Sequence, residues 1–143
     1  MQSIERQLAL GWPTVAIEFL QLYARKESEL KRAGMIKVGR RLAEADWSRF
    51  AISLGAGFFQ SVRDSKRAET LILEPPRRLN ADLQWDPVHP RPLENVEDLF
   101  ARGVCRVRHN LAHGEKFNVT GQGWDRDLAL VTESKWVLQR LLA

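Results

Sequence analysis

The sequence predicts an all-α fold, arranged as a bundle of about four to five helices that run up and down. Two observations support this prediction. Apolar residues recur at helical spacing over most of the chain, and residues typical of helix caps precede several of the apolar runs. The segment TLILE at 70–74 is the only candidate strand, and a single strand cannot form a sheet.

Length and composition favour a single helical domain covering residues 1–143. The chain is 44 % hydrophobic and 28 % charged, which is ordinary for a globular protein. No signal-peptide pattern opens the chain and no apolar stretch reaches the length of a membrane span, so we expect a cytoplasmic protein with no membrane partner. Cys105 is the single cysteine, which excludes an intrachain disulfide and fits a reducing compartment.

Positive charge is concentrated in one part of the chain. The formal net charge is +4, which permits contact with nucleic acid without establishing it. Residues 24–41 hold seven Lys or Arg against two acidic residues. A basic run of this kind most often forms a solvated helix face, but it would also attract the backbone of an RNA.

The first half of the chain predicts two long helices. One extends from Pro13 to Gly34, because proline suits a first helical position and glycine suits a helix end. The other covers residues 47–67, with Asp46 as its N-cap. This second helix is so rich in apolar residues that we expect it to be central. The small residues at 55–57 suggest that another backbone packs closely there.

The second half predicts a long irregular connection followed by two helices. Five of the six prolines lie within residues 75–92, which favours irregular structure there. Asn95, with Asp98 three residues later, approximates a capping box for a helix that ends near Gly114. The last helix covers residues 124–143 and presents an apolar face to the core.

The helix over residues 96–113 has two contrasting faces. At about 100° per residue, an apolar sector lies almost opposite a basic stripe. The apolar sector comprises Val96, Phe100, Val104, Val107 and Leu111, and the stripe comprises Arg102, Arg106, His109 and His113. Arg108 borders the apolar sector, and its side chain diverges from that of His113 by about 140°. Unwinding at Gly114, or a twofold axis between two chains, would bring the two groups together.

Arginine and histidine side chains placed in this way suit the cleavage of RNA. The 2′-hydroxyl beside each phosphate is an internal nucleophile, so the protein needs to accept one proton and donate another. Histidine does either, because an ordinary imidazole titrates near pH 6.5. A guanidinium binds the oxygens on which the phosphorane gathers negative charge. This chemistry requires no metal and no cofactor.

Residues 108–113, Arg-His-Asn-Leu-Ala-His, fit the R-x4-H motif of the HEPN superfamily. The surrounding VRHNLAHGEKF is similar to the small stand-alone HEPN proteins of bacterial plasmids and defence loci. The resemblance implies a four- or five-helix up-and-down bundle that forms a homodimer, with two motifs meeting in one cleft. It also implies a metal-independent endoribonuclease that leaves 2′,3′-cyclic phosphate ends, acts as a toxin or defence effector, and is often accompanied by an antitoxin protein.

The same resemblance implies the roles of individual residues. Arg108 and His113 would be the catalytic pair, with His109 and Asn110 as supporting polar groups. We hypothesise further that His109 is the second proton carrier. Arg102 and Arg106 are expected to attract the RNA backbone, and Asn110 is expected to bind the RNA or its phosphate. The proline-rich connection at 75–92 is not part of the general family pattern.

Three other interpretations of this segment remain open. A helix C-terminus favours cationic side chains for its dipole alone, and Gly114 would cap it. His109 and His113 also have a spacing that suits a metal, although no third ligand is evident, so no metal site is assigned. Finally, a non-catalytic helical module would use the same cleft to bind a nucleotide, an RNA or a partner protein. Cys105 lies between Val104 and Val107 and is expected to be a packed thiol.

Overall fold

The computed structural model describes residues 12–113 and 124–142, and most of these are helical. The all-α prediction is confirmed, whereas the HEPN arrangement of the bundle stays a prediction. In chain order the helices are α1 (Thr14–Arg32), α2 (Trp47–Leu54), α3 (Ala56–Ser65), α4 (Glu69–Leu73), α5 (Val96–Asp98), α6 (Cys105–Ala112) and α7 (Trp124–Arg140). A π-helical turn, Leu99–Val104, joins α5 to α6, and the strands are β1 (Arg78–Leu79) and β2 (Trp85–Asp86).

The first helix and the segment after it form one side of the site described below. α1 starts directly after Pro13 and is stopped by Gly34, whose φ of 86° is in the left-handed region. The segment between α1 and α2, residues 35–45, folds back on itself through an antiparallel bridge between Ile36 and Ala45. We call residues 35–45 the arm.

The predicted single helix over residues 47–67 is wrong, because the structure divides it into α2 and α3 at Gly55. This glycine has φ 86° and ψ 166°, which is incompatible with a helix. The Asp46 cap is confirmed, since its carboxylate accepts a 3.0 Å hydrogen bond from the Arg49 N–H. A Cβ added at Gly55 or Gly57 would meet nothing within 4 Å, so the expected close backbone contact is absent at these two positions.

The candidate strand TLILE is also wrong, because this segment lies mostly within α4. Leu71 and Ile72 are buried, and the Leu71 N–H donates to Glu133 Oε1 on α7 at 3.1 Å. Tertiary packing against α7 therefore overrides the β-propensity of the apolar run. The strands lie instead in the proline-rich connection, where β1 and β2 form an antiparallel hairpin with Arg78 opposite Asp86.

The helical segments from Val96 to Ala112 are continuous. The Asn95 cap at their N-terminus is confirmed, whereas the Asp98 side chain reaches the N–H of Glu94 instead of the Asn95 N–H that a capping box uses. The Asn95 side chain accepts from the Asp98 N–H at 2.8 Å, and the Asp98 carboxylate accepts from the Glu94 N–H at 3.0 Å. The π-helical turn was not predicted. In it, the Cys105 N–H donates to the Phe100 carbonyl five residues earlier.

The predicted apolar face of this helical run forms part of the core. Val96, Phe100, Val104, Val107 and Leu111 are all buried. Around Phe100 lies a cluster of aromatic rings, in which Trp47 stacks on Tyr23 with ring centroids 4.8 Å apart. On the other side of the core α7 packs along α1, and Lys135 pairs with Glu18 at 3.0 Å.

Within the described parts of the chain, no helix combines the length and the apolar character needed to cross a membrane.

Candidate active site

An open cleft of about 530 Å³ lies between α1, the arm, the start of α2 and the helical run. The buried rings of Tyr23 and Trp47 line it on one side. The chain's basic segment contributes Lys31 and Lys37, each within 3.7 Å of a glutamate that also lines the cleft. Arg108 and His109 line it from α6. We call this space the α1–α6 cleft.

Arg108 is half-buried and lies against α1. Its guanidinium carbon is 5.3 Å from the centroid of the Tyr23 ring, a cation–π contact. Among residues 12–113 and 124–142, no carboxylate forms an ion pair with Arg108. Burial and the neighbouring Cys105 and Glu27 raise the pKa of Tyr23, so its ring stays neutral beneath the cation.

The two imidazoles of the motif contact each other at the edge of the cleft. The ring centroids of His109 and His113 are 4.3 Å apart with the planes inclined by 50°, and both side chains are exposed. Partial burial lowers the pKa of His109, and the charges of His113, Arg108 and Arg106 lower it further. His109 is therefore predominantly neutral at pH 7 and is able to accept a proton.

The structure brings together part of the predicted catalytic group. Of the described residues, Arg108 and His109 line the α1–α6 cleft, whereas His113 lies outside its lining and reaches the group through His109. His113 follows the last residue of α6, and its N–H donates to the His109 carbonyl at 3.2 Å. Gly114, at which unwinding was expected, lies outside the described residues.

The three residues predicted to bind RNA have different surroundings. Asn110 is buried and its amide donates to the Arg77 carbonyl at 2.9 Å, so it holds the β1–β2 hairpin. Arg102 pairs with Asp98 at 3.2 Å and donates to the Arg91 carbonyl at 2.6 Å. These two side chains therefore make structural contacts within the chain.

The third residue, Arg106, has cationic neighbours. It is half-buried, and burial together with the charges of Arg78 and Arg102 lowers its pKa. No described carboxylate forms an ion pair with it. The charge of Arg106 is therefore influenced by two other arginines, one of them from the hairpin.

Cys105 lines the cleft one turn before Arg108 and His109. Burial raises the pKa of its thiol to about 11, although a hydrogen bond with Tyr23 opposes that increase. At neutral pH the thiol is protonated and therefore a poor nucleophile, in keeping with a packed residue. Among the described residues, no three His, Cys, Asp or Glu side chains form a cluster that could hold a metal ion.

Sequence reasoning did not identify Tyr23 or Trp47 as part of this site. Each lies far from the motif along the chain, and nothing in its local pattern differs from an ordinary core or surface residue. The one available signal was the excess of positive charge over residues 24–41, which contributes Lys31 and Lys37 to the cleft.

Comparison with protein-family models, with curated proteins and with solved structures finds no match for this chain. The resemblance to the HEPN superfamily therefore rests on the residues of the R-x4-H segment. What the chain does is inferred from the chemistry of the cleft and of that segment.

Proposed function

We propose that this protein is a metal-independent endoribonuclease of the HEPN R-x4-H type. The observation that carries the proposal is that one guanidinium and one imidazole line the same open cleft, while a second imidazole contacts the first at its edge. Arg108 and His109 share the α1–α6 cleft, and the His113 ring lies 4.3 Å from that of His109. An anion binder and two proton carriers are the groups that cleavage by the 2′-hydroxyl needs.

In the proposed reaction, His109 accepts the proton of the 2′-hydroxyl as its oxygen attacks the adjacent phosphorus. The lowered pKa of His109 suits this role, since its imidazole is neutral at pH 7. Arg108 binds the phosphorane oxygens as they gain negative charge. His113, in its protonated form, donates a proton to the departing 5′-oxygen. The P–O5′ bond breaks, and the products are a 2′,3′-cyclic phosphate and a 5′-hydroxyl.

The proposal includes a homodimer, because Arg108 and His113 of one chain do not line the same cleft. A twofold axis close to the end of α6 would set the His113 of one protomer near the Arg108 of its partner. The proposed cellular setting is the cytoplasm, where the enzyme would act on RNA as a toxin or defence effector held in check by an antitoxin protein.

A second candidate function is a non-catalytic module that binds a nucleotide or an RNA in the same cleft. The contact of Arg108 with Tyr23 favours it, because a guanidinium held over an aromatic ring is directed toward α1 rather than toward His113. Such a module would retain affinity for RNA but would not cut it.

The deciding experiment incubates the purified protein with structured RNA in excess chelator and follows the ends that form. Arg108→Ala and His113→Ala test the two motif residues, and Arg63→Gln is the matched control, since it removes one exposed positive charge on α3. We expect loss of one preorganised cation to slow cleavage about 10²–10³-fold. The control is expected to cut like the native protein.

Cleavage that persists in both motif variants would contradict the assignment. If the native protein and its variants all bind RNA and none of them cleaves it, the protein is a non-catalytic binding module. Sedimentation of the native protein gives the oligomeric state, and a strictly monomeric active enzyme would rule out the shared cleft.

A further inference from the structure

We propose that Arg78 of the β1–β2 hairpin and Arg106 of α6 form a second phosphate-binding subsite, which holds the phosphodiester next to the one at Arg108. The ligand is a single-stranded RNA, and this identification rests on the proposed function. The hairpin lies in the proline-rich connection, to which the sequence alone assigns no role.

The chain leading into the hairpin is fixed to the helices beneath it. In the segment 74–77, two carbonyl oxygens accept hydrogen bonds from Arg126 of α7, at 2.7 and 2.9 Å. The Arg77 carbonyl accepts from Asn110 of α6 at 2.9 Å, and the two prolines of the segment are fully buried. Arg78 is the next residue. The position of its backbone relative to α6 is therefore set mainly by these hydrogen bonds, because β1 and β2 pair over only two residues each.

This attachment places Arg78 beside Arg106. Asn110 lies four residues after Arg106, so the two occupy the same face of α6, about 5–6 Å apart at their Cβ atoms. β1 packs against α6 along this face. The charge of Arg78 also lowers the pKa of Arg106, as expected for two guanidinium groups in proximity.

The positive charges at this point have no acidic counterpart in the described part of the chain. Asp98 neutralises Arg102, but no described carboxylate is ion-paired with Arg78 or Arg106, and this includes Asp86, the cross-strand partner of Arg78. Bringing like charges together is unfavourable unless an anion joins them. A phosphodiester is the anion that two guanidinium groups bind best, through paired N–H donors.

The position of the subsite relative to Arg108 and His109 specifies which phosphate it would hold. Arg106 and His109 are three residues apart on one helix, so their side chains are neighbours. The charge of Arg106 contributes to the lowered pKa of His109, consistent with this proximity. A strand whose scissile phosphate lies at Arg108 and His109 would therefore place its adjacent phosphate between Arg106 and Arg78.

The test measures binding without cleavage. A fluorescent 2′-O-methyl oligouridine lacks the nucleophilic hydroxyl, so its Kd is read by anisotropy at salt concentrations from about 50 to 300 mM. Arg78→Gln and Arg106→Gln are each expected to weaken binding about five- to tenfold, the size of a charge-assisted contact. Each is also expected to reduce the slope of log Kd against log salt by about 0.7. Arg63→Gln serves as the matched control and is expected to change Kd less than about twofold.

Three outcomes would overturn the subsite: Arg78→Gln indistinguishable from Arg63→Gln, an unchanged salt slope, or no binding by the native protein at the lowest salt. Arg78→Lys keeps the charge but loses the paired donors, and an affinity between those of native and Arg78→Gln would support phosphate contact. The cleavage assay of the proposed function is separate. Selective loss of binding in a protein that never cuts RNA would retain the subsite and reject the nuclease.

Discussion

The guanidinium of Arg108 lies over the ring of Tyr23, with its central carbon 5.3 Å from the ring centroid. This contact joins α6 to α1, so the orientation of the motif arginine depends on a residue 85 positions earlier (108 minus 23). Tyr23 is itself buried and stacks on Trp47. Because the Tyr23 ring is buried and stacked, its position is fixed by the core. We therefore expect Tyr23 to act as a positioning residue for Arg108.

Replacing Tyr23 tests that role. Tyr23→Leu removes the ring face, and misplacement of a catalytic cation is expected to slow cleavage about tenfold to a hundredfold. Tyr23→Phe keeps the ring and should retain cleavage within about threefold, because the cation–π contact needs only the ring. Single-turnover cleavage rates of the folded variants provide the comparison. A Phe variant as slow as the Leu variant would show that the hydroxyl, rather than the ring, supports Arg108.

The pKa of His109 is expected to be below the ordinary histidine value of about 6.5. Proton NMR titration of the imidazole measures it directly. His113→Gln should raise this pKa, because His113 has the largest electrostatic effect of the three neighbouring groups, and Arg106→Gln should raise it by less. A pKa of His109 at or above 6.5 in the native protein would show that burial and the neighbouring positive charges do not act on this imidazole as proposed.

The same shift has a defined sign for stability and for activity. The pKa of His109 is lower in the folded state than in the unfolded state, so the unfolded state binds more protons at acidic pH. The contribution of His109 to the free energy of unfolding is therefore lost as the pH falls below about 6.5. The contribution is small, since His109 is exposed. If His109 is the base, the acid limb of the cleavage profile should have its midpoint below 6.5 and should change in His109→Gln.

Cys105 is expected to play no part in the chemistry. Burial raises the pKa of its thiol to about 11, so little thiolate is present at pH 8. Alkylation by iodoacetamide should be more than about tenfold slower in the native protein than in the urea-unfolded protein. Cys105→Ala should retain cleavage within about threefold of native in the same assay in which His113→Ala is expected to lose it. Loss of cleavage in a folded Cys105→Ala protein would reopen the role of this thiol.

Gly103 and Gly57 offer a matched pair of helical glycines for a stability test. A Cβ at Gly103 would lie 3.0 Å from Leu93 Cδ1 and 3.4 Å from Leu71 Cδ1, inside the core. Gly103→Ala should therefore destabilise the fold by about 1–3 kcal/mol through overpacking. Gly57→Ala meets nothing within 4 Å and should stabilise α3 by about 0.5–1 kcal/mol.

Urea unfolding, followed by circular dichroism, measures both free energies of unfolding. A Gly103→Ala variant as stable as the native protein, or more stable, would contradict the close packing of Leu93 and Leu71 around Gly103. Gly103→Ala combined with Leu93→Val should recover part of the loss, because the shorter side chain relieves the contact.

Local signals in the sequence predicted helix caps better than helix continuity. Asp46 and Asn95 cap the helices for which they were assigned, because a cap needs only a side-chain oxygen near the next few N–H groups. The break at Gly55 was not predicted. A glycine lowers helix propensity without deciding whether the chain bends, and that decision depends on what each half packs against.

The sequence by itself determined the all-α class, the apolar face of the helix over residues 96–113 and the order of the charged groups along it. These properties follow from side-chain spacing on a regular helix, which is a local geometry. Only the tertiary structure decided that Arg108 lies over Tyr23, that Asn110 bonds to the residue before the hairpin, and that Arg78 lies near enough to Arg106 to lower its pKa. Those pairings join distant parts of the chain, and their contacts are set by the packing of whole elements, which spacing along one element does not encode.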